Sequence, residues 1–232
     1  MKTVLKISSI VPCQIIERLN RFVVKIKIDN KITKASLNNT GRLEEFLVKN
    51  KIGHLLPLKI PQKTKYRLSF VKEDKNSASI IDTNLQMKCF EIGLEKGLIS
   101  WLKGAKILKR NYRLGNSLID YLIQRKNKKY YLEIKSAVMK ENYFAMYPDC
   151  HSLRGQKHIK ELINHPKNSI ILFIAGMKNI KAFKPNKNAD EKIYELLQIA
   201  KNRGVQIKAI QIYLDLKSKN IVLVTNNLKV AL

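Results

Sequence analysis

Short apolar or alternating runs broken by turn residues fill the chain up to residue 81. Residues 10–17, 22–28, 31–37, 52–58, 66–71 and 78–81 are strand-sized, and Asp29-Asn30 suits a tight hairpin turn. Between the third and fourth runs, Thr40 can cap a short helix that buries Leu43, Phe46 and Leu47. Five or more short strands and one short helix in about 80 residues predict a small barrel such as an OB-fold. Barrels of that kind often bind single strands in a basic groove lined by stacking aromatics. Aromatics are few here (Phe22, Phe46, Tyr66, Phe70), so a bracing role for the module is the alternative.

A polar stretch around Glu73 to Ser79 marks a boundary near Ile81, and the pattern then changes. Asp82-Thr83-Asn84 caps a helix running to about Lys96, with Leu85, Cys89, Ile92 and Leu94 apolar and Gly97 closing it. Strands at 105–114, 118–123 and 130–136 follow, then a helix at 153–164 that stops before His165-Pro166. A continuous apolar strand at 169–175, a helix at 190–202 closed by Gly204, and strands at 205–214 and 220–224 complete the order α-β-β-β-α-β-α-β-β. The predicted architecture is mixed α/β in two domains: an OB-like β-barrel over 1–81 and an α/β domain over 82–232.

Composition narrows the partner. The chain has 232 residues, 45% of them hydrophobic, which supplies a packed core and excludes global disorder. Forty-five Lys and Arg against 18 Asp and Glu give a net charge of +27, a potential that favours a polyanion, DNA or RNA, over other partners. No basic amphipathic helix with a large apolar face points to a membrane. Cys13, Cys89 and Cys150 are scattered and odd in number, which argues for a reducing compartment. With no secretory leader and no apolar run long enough to span a bilayer, a soluble, cytoplasmic protein is expected.

The chemistry concentrates in residues 117–136, SLIDYLIQRKNKKYYLEIKS. Two apolar runs around a Lys/Asn-rich turn predict a β-hairpin. A two-residue loop at Lys126-Asn127 sets Asp120 opposite Glu133, and a four-residue loop over 126–129 sets it opposite Lys135. Either register puts Asp120, Glu133 and Lys135 on one sheet face and Ile119, Tyr121, Leu132 and Ile134 on the other. Two adjacent carboxylates resist joint ionisation unless a cation lies between them, and oxygen ligands suit Mg²⁺ or Mn²⁺. A neighbouring lysine can hold the attacking water or offset charge in a phosphoryl transition state. Asp, a gap, then Glu-x-Lys across a hairpin is the pattern of the PD-(D/E)xK nucleases, and their restriction-endonuclease-like αβββαβ core has its acids on the second and third strands, as here. An ordinary cross-strand ion pair on a wetted face is the plain alternative.

Other features have rival readings. His151, His158 and His165 recur beside Cys150, yet only His158 falls within a helix, so zinc is not expected. Tyr147-Pro148-Asp149 reads as a turn in which Asp149 can fix Arg154. Asn39-Thr40-Gly41 can meet the second domain or a phosphate. Trp101 reads as packing. Arg42, Lys109 and Arg110, with Lys103 and Lys106 nearby, form either a solvated face or a track for a phosphate backbone.

The stretches NNTGRLEEFL, DTNLQ, GLEKGLI, SLIDYLI, YLEIKSAV, MYPDCHSLRGQKHIKELI and DEKIYELLQIAKNRGVQI occur in one order over nearly the whole chain. Together they resemble the sugar fermentation stimulation protein A family. The resemblance implies an OB-like N-terminal barrel, a PD-(D/E)xK nuclease-like C-terminal domain and nucleic-acid binding. By it, Asp120 and Glu133 match metal-binding acids, Lys135 matches the catalytic lysine, and Ile134 lends a backbone carbonyl to the metal. Gln156 orients Lys135 or a metal-bound water, and Arg154 and Lys157 grip phosphate. Bacterial members tend to carry an acid where this chain has Ile92; Glu95 is assigned to the metal, with Glu91 as the alternative. The expected function is a metal-dependent nuclease, which as a duplex cutter would act as a homodimer. The alternatives are a DNA-binding regulator with a vestigial site and a basic scaffold that meets RNA.

Overall fold

Strands with one buried and one wetted face dominate the first third of the chain. The computed structural model describes residues 1–60 and 63–232. In it β1 (Lys2–Lys6) is followed by β2 (Val11–Asn20), β3 (Val23–Ile28), β4 (Lys31–Ser36), β5 (Ile52–Pro57), β6 (Tyr66–Lys72) and β7 (Ser77–Ile80). β3 pairs with β2 and β4, β2 with β5, β5 with β6, and β6 returns to β4 through the parallel bridge Ser36↔Arg67. The ring closes into the five-stranded barrel that the spacing predicts, around Ile15, Val24, Ile26, Ala35, Leu55 and Leu68. Asp29 and Asn30 both take positive φ, 43° and 68°, as a two-residue hairpin turn requires.

No helix forms after Thr40. Residues 41–50 make only bends and turns, with Leu43 at φ 55°. The backbone groups that a helix would use are taken by side chains. Arg18 donates to the carbonyls of Gly41 and Arg42 at 2.5 and 2.6 Å, and the Asp149 carboxylate accepts the Leu43 N–H at 3.0 Å. Leu43 and Phe46 are still buried, as the apolar pattern predicts. The loop fastens the barrel to the rest of the chain: Asn39 donates to the Ile81 carbonyl and Asn38 accepts the Thr83 N–H. A Cβ on Gly41 would stand 2.4 Å from Asp149 Oδ2. Gly41→Ala is therefore expected to destabilise the fold by about 1–3 kcal/mol, read from urea midpoints at unchanged m-value.

Asp82 caps α1 (Thr83–Glu95) by accepting the Leu85 N–H at 3.1 Å, and Gly97 at φ 64° ends it. The chain continues as β8 (Lys106–Leu114), β9 (Ser117–Arg125), β10 (Lys128–Ala137), β11 (Met139–Glu141), β12 (Phe144–Tyr147), α2 (Leu153–Ile163), β13 (Ser169–Ala175), β14 (Ala182–Pro185), α3 (Glu191–Arg203), β15 (Gln206–Asp215), β16 (Asn220–Thr225) and β17 (Lys229–Val230). The main sheet runs β7-β15-β13-β10-β9-β8, and β7 joins it to the barrel through β6. β1 pairs with β16 rather than with a barrel strand. β10, β13 and β15 are parallel and central, which is why β13, SIILFIA, is buried along its whole length. α1 covers one face with Leu85, Cys89 and Phe90 against Tyr121, Leu132 and Ile170. α2 and α3 cover the other, where Ile159, Leu162, Ile193 and Leu197 join Ile171, Phe173 and the barrel interior. A small second sheet, β11-β12-β14-β17, lies beyond. Among the described residues no helix is long and apolar enough to cross a membrane.

Candidate active site

The hairpin β9–β10 turns at Lys126-Asn127, with Lys126 at φ 53°. Lys128 faces Arg125 and Leu132 faces Tyr121, so the shorter of the two loops is the one adopted. The backbone ladder stops at that last pair. Beyond it the Asp120 N–H donates to Glu133 Oε2 at 3.1 Å, and the Ile134 N–H donates to Asp120 Oδ2 at 2.7 Å. The strands part here, and two carboxylates fill the gap where carbonyls would pair. A strand residue directs its N–H and C=O to the same side, so the Ile134 carbonyl faces this gap too.

Alternation breaks at the same point. Ile119 was expected on the face of Tyr121, and it lies on the opposite one. Tyr121 OH donates to Glu91 Oε1 on α1 at 2.8 Å, and Arg110, across from Tyr121, meets Glu91 Oε2 at 2.7 Å. Tyr112, across from Ile119, instead stacks on Tyr131 at 5.8 Å, and Ile119 joins the cluster under α2. The break coincides with an αL residue on the neighbouring strand: Asn111 of β8, between the partners of Tyr121 and Ile119, has φ 49°. Asp120 occupies the pivot.

Glu133 is 2% exposed. Its Oε1 receives Lys135 Nζ at 2.6 Å and stands 2.5 Å from His158 Nδ1 of α2. Burial pushes the Glu133 carboxyl up, but Lys135 and His158 together outweigh it and hold the pKa at about 2. Lys135 mirrors this: burial lowers its pKa, and the Glu133 charge more than restores it, so the ammonium stays protonated. Asp120 goes the other way. Burial, then the Glu133 charge, lift it from 3.8 to about 7 against the Ile134 N–H, Lys135 and Arg154. Two carboxylates in one gap thus differ by several pKa units, the condition that a divalent cation between them would relieve.

The donor set fits such an ion. Two carboxylates and a backbone carbonyl are hard oxygen donors, and Asp120 Oδ1 has no hydrogen-bond partner among the described residues. Among those residues no three His, Cys, Asp or Glu side chains gather as metal ligands, so water and substrate oxygens would complete the shell.

The other expected residues are less gathered. Glu95 is exposed on α1, on the far face of the sheet from Glu133, and Glu91 is tied to Arg110 and Tyr121; no first-helix acid reaches the Asp120–Glu133 gap. Gln156 is buried but turned from Lys135: its amide nitrogen reaches both Asp190 oxygens at 3.1 Å and His151 at 3.3 Å, bracing α2 against the cap of α3. Asp149 holds the barrel loop rather than Arg154. Arg154 and Lys157 are exposed on α2, Lys109 is exposed on the edge strand β8, and Arg42 lies on the barrel beside Glu44 at 3.6 Å. His158, read from the sequence as a surface or hydrogen-bonding histidine rather than a zinc ligand, is the partner of Glu133 that no motif names. The signal for it was helical spacing, since Ile159, Leu162 and Ile163 mark the buried face of α2 and residue 158 falls on that face.

Known proteins bear on this arrangement. The family described as "Sugar fermentation stimulation protein RE domain" matches residues 84–218, and "SfsA N-terminal OB domain" matches 16–80. The sugar fermentation stimulation protein homolog of Pyrococcus furiosus is 43% identical over 218 residues, 93% of this chain and 94% of its own. That of Archaeoglobus fulgidus is 40% identical over 89% of this chain and 90% of its own. The solved structure of Pyrococcus furiosus SfsA, described as a complex with Ca²⁺, superposes with a TM-score of 0.95 at 42% identity and full coverage of both chains. The chain belongs to the sugar fermentation stimulation protein family.

Proposed function

We propose that this protein binds nucleic acid and hydrolyses its phosphodiester bonds with a divalent cation, Mg²⁺ or Mn²⁺. The observation that carries the reading is the trio Asp120, Glu133 and Lys135 at the parted end of the hairpin. The restriction-endonuclease-like PD-(D/E)xK order over 82–232, the OB barrel within 1–81 and the net charge of +27 support it. A solved relative described as holding Ca²⁺ supports a cation of this kind.

Asp120, Glu133 and the Ile134 carbonyl would hold the ion. When bound it would neutralise charge on the phosphate and make a coordinated water more acidic. Lys135, kept protonated by Glu133, positions that water and offsets negative charge as it develops. His158 holds Glu133 in place from the other side. Arg154 and Lys157 stand over the site as phosphate contacts. One observation favours a second reading, a binding-only protein: both Glu133 oxygens are already engaged inside the protein.

Cleavage of labelled single- and double-stranded DNA and RNA with Mg²⁺, Mn²⁺ or chelator tests the pair. Metal-dependent cutting that falls by about 10²-fold or more in Lys135→Ala supports the nuclease. Binding of all four without cutting, or equal cutting by the variant, leaves the binding protein.

A further inference from the structure

Beside the carboxylates lies a groove of about 490 Å³, lined by Arg113, Asn116, Ser117 and Leu118 from β8–β9 and by Leu153, Arg154, Lys157 and His158 from α2. Its volume lies within the range of small-ligand clefts, and it is open to solvent. It contains three exposed cations, Arg113, Arg154 and Lys157, and none of its lining residues is acidic. Glu161, which meets Gly115, stands nearby beyond the lining. His158, in the wall of the groove, bonds Glu133, so one side chain joins the groove to the carboxylate pair.

One feature goes beyond a patch of charge. Leu118 and Leu153 line the groove with 49% and 71% of their surfaces exposed, an arrangement that water disfavours. Cations beside apolar ledges match a nucleotide whose base is free of a stack: phosphate to the cations, base and sugar against the leucines. A duplex would offer this groove its phosphates alone.

Resting on the nuclease reading, we infer that this groove is a subsite for the nucleotide next to the scissile phosphate, and that it selects single-stranded nucleic acid.

The test is binding, so it does not depend on cleavage. Fluorescence anisotropy of a labelled single strand and of the matching duplex is read with Ca²⁺ across a salt series. Three full-length variants are compared with wild type: Arg113→Ala/Lys157→Ala, Leu118→Ala/Leu153→Ala, and the control Lys201→Ala/Arg203→Ala. The control lies at the far end of α3, whose cap Asp190 meets Gln156, about 20 Å along a 13-residue helix. All six residues are on the surface, so folding is retained. Loss of the two groove cations should weaken single-strand binding about tenfold and flatten its log–log salt slope by about 1.4, two contacts at about 0.7 each. Loss of the leucines should weaken the single strand and leave the duplex unchanged. The control should match wild type. Wild-type binding by the cation variant, or equal losses for single strand and duplex in the leucine variant, overturns the subsite. If wild type binds as described yet never cuts, the groove stands as a single-strand binding site without a scissile phosphate, and the nuclease reading falls.

Discussion

Asp120→Asn should abolish metal-dependent cleavage, by about 10³-fold or more, while leaving nucleic-acid binding nearly intact. The substitution is small. The amide oxygen can still accept the Ile134 N–H that Asp120 Oδ2 now takes at 2.7 Å, so the parted hairpin is kept. What is lost is a negative charge beside Glu133. The same change should stabilise the chelated protein at alkaline pH. The folded Asp120 carboxyl keeps its proton up to about pH 7, whereas its ordinary pKa is 3.8. Between those values the unfolded chain binds fewer protons than the folded one, so stability falls as pH rises. Asn carries no such penalty. In EDTA the variant should melt above wild type at pH 8 and level with it near pH 4, by calorimetry. Addition of Ca²⁺ should reverse the order at pH 8, because only wild type retains both carboxylates for the ion. A variant that cuts like wild type removes Asp120 from the chemistry. A variant that melts with wild type at every pH shows that its carboxylate is not under strain.

That two-sided prediction could not have been made from the sequence, and the reason is specific. The hairpin itself was legible: a Lys-Asn turn between alternating runs places Asp120 and Glu133 side by side. The parting of its strands was not, because beyond Leu132 the Asp120 and Glu133 carboxylates accept the amides that carbonyls would otherwise take. A period of two carries no sign of that exchange. The barrel was legible for the same reason as the hairpin, since five of the six strand-sized runs supply its strands and have few ways to close around one core. The loop at Thr40 was misread because its conformation is decided by Asp149, 106 residues away, and no local propensity registers a partner at that distance. The first-helix acids show the converse error. Glu91 and Glu95 are on the correct element, but α1 covers the Tyr121 face, and which face a helix covers is a property of the whole sheet. His158 was half visible: its helix and buried side follow from spacing, and its partner does not.

Phe173→Ala should cost about 3–5 kcal/mol and lower the melting temperature on the order of 10 °C. Phe173 is fully buried in β13, the central strand of the sheet. Its ring stacks on Phe183 at 3.8 Å and tilts against Tyr147 at 5.6 Å. In the parallel register it is paired with Lys135, so both side chains stand on the α2 face. A void at this position has few neighbours free to fill it, since β13 is paired with β10 on one side and β15 on the other along its length. The loss should therefore be near the top of the range for an aromatic truncation. Phe173→Leu, which keeps most of the volume, should cost less than half as much. Ile199→Ala on α3, where the side chain is 41% exposed, should change stability by no more than about 0.5 kcal/mol. Urea unfolding of the three variants ranks them directly. Equal costs for Phe173→Ala and Ile199→Ala would mean that the aromatic layer beside Lys135 is loosely packed. A large cost would tie the position of the ammonium to the core: Lys135 is held against Glu133 on one side and bounded by this layer on the other. Below the melting transition, cleavage by Phe173→Ala should then fall more than its binding, because the void loosens the lysine and leaves Arg154 and Lys157, the phosphate contacts we propose, untouched on the surface.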